Sequence, residues 1–561
     1  MSKTKSILEN IINWMFILIC VIGVTFTLIY IFYTSTALLT SDSVITDVLS
    51  HQQLINKQFF LTNWYYGNEF WFFSLSIPTS LLSIIIKNNI LLRQVSVFIT
   101  ALIFFFLLYH YGKIFLNKKS TLILILIFLT GISYSILDYF YAFNAYLTVC
   151  INSLLLLLLY YNCISQKENR KLYFLLSIIF TFLLNCTSLR YFPSVTFPFV
   201  VTELILILVA NKKLKLVKIL NKENKTVLKL MIILIVAFLG LIVFILLANI
   251  YSYEQRAGAF FAEKISIKKL NKDVGAVIDS IHSFFGYDNK NNAITFLTGD
   301  QYFVKNKRNY PIISFFSFTN IIKMAMCVVC MIVSPIILLK NYKKNDSKLN
   351  FLLIFNIISF ITMLTLYIYS NNFFYNRSEL KYYIFNMILF IITSLYFLYN
   401  YVSKNKILNY TIDLFMITYM ISNLYTTFLT IRDNDKKVPE KKYELVNLLK
   451  KNNLDYGYGG YWNSIISYYL SNYTITVAPV KNFDDTISPD RWYSDKRWYS
   501  NNKKHRGRVF LILDEKALIY RGNIINLYGV PDQILKCSGY NVLVYNKNPF
   551  IDKFFDDVNI S

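Results

Sequence analysis

The chain has 561 residues, 55% of them hydrophobic and only 16% charged, yet lysine and arginine exceed the acids enough to leave a net charge of +25. With 48 Phe and 44 Tyr against 16 Gly and 10 Pro, it is neither disordered nor collagen-like. A mean hydropathy of +0.44 and several apolar windows beyond the ~18 residues that mark a spanning helix leave a polytopic α-helical membrane protein as the class. The positive charge calls for no nucleic acid, because the lysines gather in short loops between apolar windows.

Taken in chain order, the amino terminus pairs a basic start, MSKTKSILEN, with the long apolar run IINWMFILICVIGVTFTLIYIFY. A cleaved signal peptide has an apolar core of about 7–15 residues, so this run reads as an uncleaved first helix. The windows predict about 11 transmembrane helices, at 11–33, 91–111, 119–137, 142–162, 172–189, 191–210, 229–250, 311–339, 349–370, 380–401 and 407–429. With the amino terminus cytoplasmic, the inside loops are GKIFLNKKS, CISQKENRK, NKKLKLVKILNKENKTVLK, KNYKKNDSK and SKNK, all rich in lysine. That agreement requires WFFSLSIPTSLLSIIIKNN (71–89), with Pro78 and several serines, to be a helix along the outer interface and not a span. The layout divides the chain into a membrane module, 1–430, and a tail, 431–561, with external loops at 34–90 and 251–310.

The tail is polar and alternating. KKYELVNLLKKNN reads as a helix, while YTITVAPV, RVFLILDEK and NVLVYNK read as strands, giving a C-terminal extracytoplasmic α/β domain. Its YGYGGYW and RWYSDKRWY stretches are either acceptor-binding aromatics and arginines or an ordinary strand, glycine turn and core. The seven cysteines form no framework, and Cys327 and Cys330 sit inside an apolar run where packing is their role. Four scattered histidines offer no metal site.

Chemistry gathers at the outer ends of the spans. Asp42 and Asp47 follow the first span in TSDSVITDVLSHQQ; such residues either end a helix in water or act as a general base beside the bilayer. The next external turns contribute Asp138 with tyrosines (SYSILDYFYAFNAY), Arg190 and Tyr191 (NCTSLRYFPS), and Arg377, Glu379 and Lys381 (SNNFFYNRSELKYY). Arg93 opens the second span from the same side. Arginines there are either headgroup anchors or contacts for a departing lipid phosphate.

An acid just after the first span, a first loop with an interfacial helix and an acidic second external turn resemble the GT-C superfamily of membrane glycosyltransferases. That superfamily includes protein O-mannosyltransferases, oligosaccharyltransferases and the lipid A aminoarabinose transferase. SDSVITDVLSHQQLINKQFFLTNWYYGNEFW, LRYFPS, LDYGYGGYWN and DRWYSDKRWY are similar to bacterial members, many from Gram-positive cells. The resemblance implies a sugar donor on a polyprenyl phosphate and an extracytoplasmic acceptor glycan, such as a cell-wall polysaccharide or teichoic-acid-like polymer. Asp42 then serves as base with inversion at the anomeric carbon. The usual Asp-Glu pair is absent, since Ser43 follows Asp42, so Asp47 or Glu69 would share the role. Arg93, Arg190, Tyr191, Arg377 and Lys381 would bind substrate. Some members use a divalent metal, which Asp42 and Asp138 could share; with one carboxylate per loop and no His, no cofactor is assigned.

A transporter or flippase of lipid-linked glycans is the alternative, and it calls for polar residues or helix breaks at mid-span. A glycan polymerase or ligase would rely on arginine-rich external loops, and a sensor on a sizeable inside domain. The sequence favours a transferase of the plasma membrane.

Overall fold

The computed structural model describes all residues except 1, 68, 72, 166–169, 211–223, 252–266, 287–314, 370–380, 404, 434–436, 500–504 and 551–561. Among the described residues, ten helices are long and apolar enough to cross a membrane: Ile7–Ala37, Asn89–Phe115, Ala145–Ile164, Arg170–Thr187, Phe192–Val209, Lys225–Ile250, Thr319–Lys340, Ser347–Ile368, Ile384–Val402 and Lys406–Arg432. An eleventh apolar window is a pair, Lys118–Leu129 and Tyr134–Ala142, bent by 84°. The sequence read this window as one continuous helix. It breaks at Gly131, whose φ of +72° places it in the left-handed region, and Ser133 caps the second piece through the backbone N–H of Ile136 at 3.2 Å.

The bundle has an inside and an outside. Ile384–Val402 runs through the middle, with 83% of its apolar window buried, while Lys225–Ile250 is 28% buried and presents the rest outward. Lipid tails are as apolar as leucine, so apolar burial alone does not hold spans together; interhelical packing and side-chain hydrogen bonds do. The central span uses several. Asn386 Nδ2 donates to Asn356 Oδ1 at 3.1 Å and to Ser359 Oγ at 2.9 Å, and Ser394 pairs with Ser334 at 2.7 Å. Near the start of Lys406–Arg432, Asp413 takes an ion pair from Lys119 and a hydrogen bond from the Tyr399 hydroxyl at 3.0 Å.

The extramembrane elements are labelled in chain order. In the first loop, helix α1 (Ser41–Asn56) starts in a capping box. The Thr40 side chain accepts from the Ser43 N–H at 3.3 Å, and the Thr40 N–H donates to Ser43 Oγ at 2.7 Å. Strand β1 (Trp64–Tyr65) follows, then the short helix α2 (Ser76–Leu82). The interfacial helix expected over 71–89 is thus only seven residues long, but Leu81, Ile84 and Ile85 around its end are exposed as a membrane-lying segment requires. The second long loop contains α3 (Ile267–Phe284).

The tail comprises α4 (Lys437–Lys451), β2 (Tyr456–Gly459), α5 (Tyr461–Leu470), β3 (Thr476–Lys481), β4 (Ser488–Pro489), β5 (Ser494–Asp495), β6 (Val509–Asp514), α6 (Arg521–Tyr528), β7 (Gln533–Cys537) and β8 (Tyr540–Tyr545). A six-stranded sheet runs in the order β4-β3-β2-β6-β8-β7, with β2 parallel to both β3 and β6 and the remaining pairs antiparallel. The continuous apolar run VFLIL of β6 is the mark of a strand buried on both faces. Phe510 and Ile512 pack with Leu445, Val446 and Leu449 of α4 on one face. Val509, Leu511 and Leu513 belong to the cluster on the other face, with Ile465 and Ile466 of α5 and Val44, Ile45, Val48 and Leu49 of α1.

First loop and tail are therefore one packed body. β1 pairs antiparallel with β5, Trp64 opposite Asp495 and Tyr65 opposite Ser494. Gln52 Nε2 donates to the Tyr468 hydroxyl at 2.8 Å, the Tyr469 hydroxyl to the Asn89 carbonyl at 2.8 Å, and Trp71 Nε1 to the Tyr493 hydroxyl at 2.7 Å. Trp498, Tyr499 and Tyr493 of RWYSDKRWY are buried in this dock.

His51 of α1 stacks on Tyr473 of the tail, centroids 3.5 Å apart and planes 11° from parallel. Burial pushes its imidazole down from 6.5 to about 4, so the ring is neutral at pH 7. A depressed pKa in a base means that the folded state binds fewer protons than the unfolded one. The stability is therefore present above pH 6.5 and lost as pH falls towards 4. We expect the melting temperature of the purified chain to fall across that window, and the fall to be shallower for His51→Phe, which keeps an aromatic ring without a titrating nitrogen. Equal slopes in the two proteins would remove the histidine from the dock's acid sensitivity.

Candidate active site

Asp42 lies in the first turn of α1, where a negative charge is favoured by the exposed backbone N–H groups. It is half-buried, and its Oδ1 accepts the Tyr461 hydroxyl at 2.7 Å. The Ser41 hydroxyl donates to the Tyr461 carbonyl at 2.8 Å, so the same tail residue is gripped at both ends. The orientation of the carboxylate is thus set by α5, 419 residues away in the chain.

Near it lies a cluster of cationic and aromatic side chains. The Arg190 guanidinium lies over the rings of Tyr146 and Tyr382, 5.9 and 5.6 Å from their centroids. Lys381 Nζ lies over the same two rings at 5.8 and 5.2 Å. Asp42 is close enough for its charge to act on the hydroxyls of both Tyr146 and Tyr493. Arg190 also pairs with Glu69, which is buried and takes a hydrogen bond from Ser188. Burial raises the Glu69 pKa, opposed by Arg190 and by Lys381. Arg190 Nη1 is buried with no hydrogen-bond partner among the described residues. A guanidinium nitrogen so placed is a donor in want of an acceptor.

Of the residues that the sequence put forward, Asp42, Glu69, Arg190 and Lys381 therefore come together. Tyr191 stands behind them, buried, its hydroxyl accepting from Asn152 Nδ2 at 3.1 Å; with Glu69 and Ser188 it lines a cavity of about 10 Å³, room for one water. Asp47 and Arg93 form a separate, fully buried ion pair. Thr79 donates to Asp47 Oδ1 at 3.2 Å, and Arg93 Nη2 to the Ala142 carbonyl. This pair ties α1, α2, the second span and the end of the bent pair to one another. Asp138 lies at the start of the last turn of that pair, with Oδ1 buried and unpartnered. Arg377 and Glu379 fall outside the described residues.

Tyr461, Tyr146 and Tyr382 lie in stretches that the sequence marks, YGYGGYW, SYSILDYFYAFNAY and SNNFFYNRSELKYY, but tyrosine is too common there for one ring to stand out. The donors around Asp42 do not suit a divalent cation. Its hydrogen-bond donor Tyr461 is a phenol, and among the described residues no three His, Cys, Asp or Glu side chains converge. No protein-family model matches the chain, and no curated protein matches it.

The Asp47–Arg93 geometry predicts a structural role. Asp47→Ala or Arg93→Ala leaves a buried charge uncompensated and should cost about 3–5 kcal/mol, whereas Asp47→Leu with Arg93→Met should cost much less than the sum of the two. Thermal unfolding of the purified variants measures this; additive losses would show that the two charges do not depend on each other.

Proposed function

We propose that this chain is a membrane glycosyltransferase of the GT-C type, moving a sugar from a polyprenyl-phosphate donor to an extracytoplasmic glycan. The observation that carries the reading is the gathering of Asp42, oriented by Tyr461, with Arg190 and Lys381 around Tyr146. Asp42 takes the proton of the acceptor hydroxyl, whose oxygen forms a bond to the anomeric carbon. The bond from that carbon to the phosphate oxygen breaks, and the electron pair leaves with the lipid phosphate. Arg190 Nη1 and Lys381 offset the charge that develops on the departing phosphate, in a site of low dielectric where such contacts count most. Glu69 holds Arg190 in place and keeps the site from being purely cationic before the donor arrives.

The topology supports this reading. The first loop and the tail touch, so they lie on one side of the membrane, opposite the amino terminus. An odd number of crossings must then separate the amino terminus from the tail. Ten straight helices make an even number, and counting the bent pair as one span makes eleven. Lysine-rich loops on the other side favour an extracytoplasmic first loop and tail, and the reading assigns the chain to the plasma membrane. The transporter reading has less support: Asn386, near the start of its span, donates to Asn356 and Ser359 inside the packed centre, while Asn356 Nδ2 and Asn386 Oδ1 are left without a partner among the described residues.

The test compares surface glycans of a deletion strain complemented with wild type, Asp42→Asn, Tyr461→Phe or Asp47→Asn at matched protein levels. Removing a general base costs about 10²–10⁴ in turnover, so Asp42→Asn should abolish one sugar substituent. Tyr461→Phe should reduce it by less, and Asp47→Asn should act only through protein stability. Full restoration by Asp42→Asn would end the base assignment.

A further inference from the structure

The tail has a second crevice, outside the carboxyl ends of β2 and β6. The connection leaving β2 runs through α5 to β3 on one side; the connection leaving β6 runs through α6 towards β7 and β8 on the other. Between two parallel strands whose connections diverge, the loops part and leave a hollow, the position at which open α/β sheets bind ligands. Here it is a cavity of about 200 Å³, walled by Gly460 and Asn463 after β2, by Asp514, Lys516 and Tyr520 at and after the end of β6, and by Phe483 after β3. Pockets for drug-sized molecules run to roughly 300–1,000 Å³, so the occupant is smaller.

The chemistry of the walls narrows it further. Asp514 is held in place: Oδ2 accepts Asn463 Nδ2 at 3.0 Å, and Oδ1 accepts the backbone N–H groups of Lys516 and Ala517 at 3.1 and 3.0 Å. A fixed carboxylate opposes phosphate or another anion, in spite of the helix N-terminus beside it. An acid, an amide and a lysine between two partly exposed rings, Phe483 and Tyr520, suit the hydroxyls and apolar faces of a neutral sugar. Gly460 adds an independent sign. Its φ of −61° suits any residue, and a Cβ there would meet only Phe483 Cε2, at 3.8 Å. The fold does not need glycine at 460; an open crevice does.

We propose that this crevice binds one neutral sugar unit of the acceptor glycan, an assignment that rests on the transferase reading above. The crevice and the base are neighbours in the chain, since Gly460 lines the one and the hydroxyl of the next residue, Tyr461, holds Asp42. A glycan seated there is anchored on the element that orients the base.

The test is saturation-transfer NMR on the full chain in lipid nanodiscs. The probes are the methyl glycosides of glucose, galactose, mannose, rhamnose, N-acetylglucosamine and N-acetylgalactosamine, with inorganic phosphate as competitor. We expect transfer to the ring protons of at least one glycoside, undiminished by phosphate. It should fall at least fivefold in Gly460→Val, which fills the crevice, and in Tyr520→Ala, which removes one face, with both melting temperatures close to wild type. No transfer to any glycoside, or transfer that survives both substitutions, would overturn the proposal. Asp42→Asn separates the two readings. If that variant makes the full surface glycan while the glycosides still bind at the crevice, the base assignment falls and the sugar site stands.

Discussion

Everything in the body formed by the first loop and the tail depends on the burial of α1 against α5 and the sheet of the tail. A carboxylate at the edge of a bilayer is fixed only as well as the helix that carries it, and a 16-residue helix is marginal in water without a packing partner. α1 finds that partner on α5, with Val44, Ile45, Val48 and Leu49 in one cluster with Ile465, Ile466 and Leu511. Tyrosines finish the joint, because each supplies an apolar ring for the cluster and a hydroxyl for a specific bond. Tyr468, Tyr469 and Tyr493 bond across the joint in that way, and Tyr461 does so at Asp42 itself.

Two of the ion pairs of this region differ in how completely their partners satisfy them. Asp47 and Arg93 are shielded from water and bonded on every side that the chain supplies, by Thr79 and by the Ala142 carbonyl. Such a pair fixes geometry and has little left to offer a substrate. Glu69 is buried and Arg190 nearly so, with one guanidinium nitrogen unpartnered among the described residues and two tyrosine rings beside it. Incomplete satisfaction of a buried cation is expensive in a resting protein, and an anion bound there would relieve it.

The membrane part follows a different logic. Its central span is held by small polar groups, Asn386 to Asn356 and Ser359 and Ser394 to Ser334, where hydrocarbon gives no preference for one apolar face over another. The bent pair brings a second external turn beside the first loop: Arg93 reaches the Ala142 carbonyl at its end. A straight helix through 119–137 would not deliver that carbonyl, so the break at Gly131 is part of how the loop is seated.

The sequence by itself determined the spans, because about 20 apolar residues have nowhere else to go, and it determined the strands with strong patterns, β3, β6 and β8, and the helix α4. It also pointed to Asp42, Arg190 and Lys381, since charged residues at helix ends are conspicuous in so apolar a chain, and to Glu69 through the family resemblance. The weak strands β1, β4, β5 and β7 escaped, being short or built of polar residues whose pairing comes from their neighbours, and β2 stood only as one of two readings of YGYGGYW. Only the tertiary structure separated Asp42 from Asp47, five residues apart on one helix. The first meets a tyrosine hydroxyl and the second an arginine, and those partners lie 419 and 46 residues away. A side chain's charge is local, but what it faces is set by packing, and packing joins segments that share no local pattern.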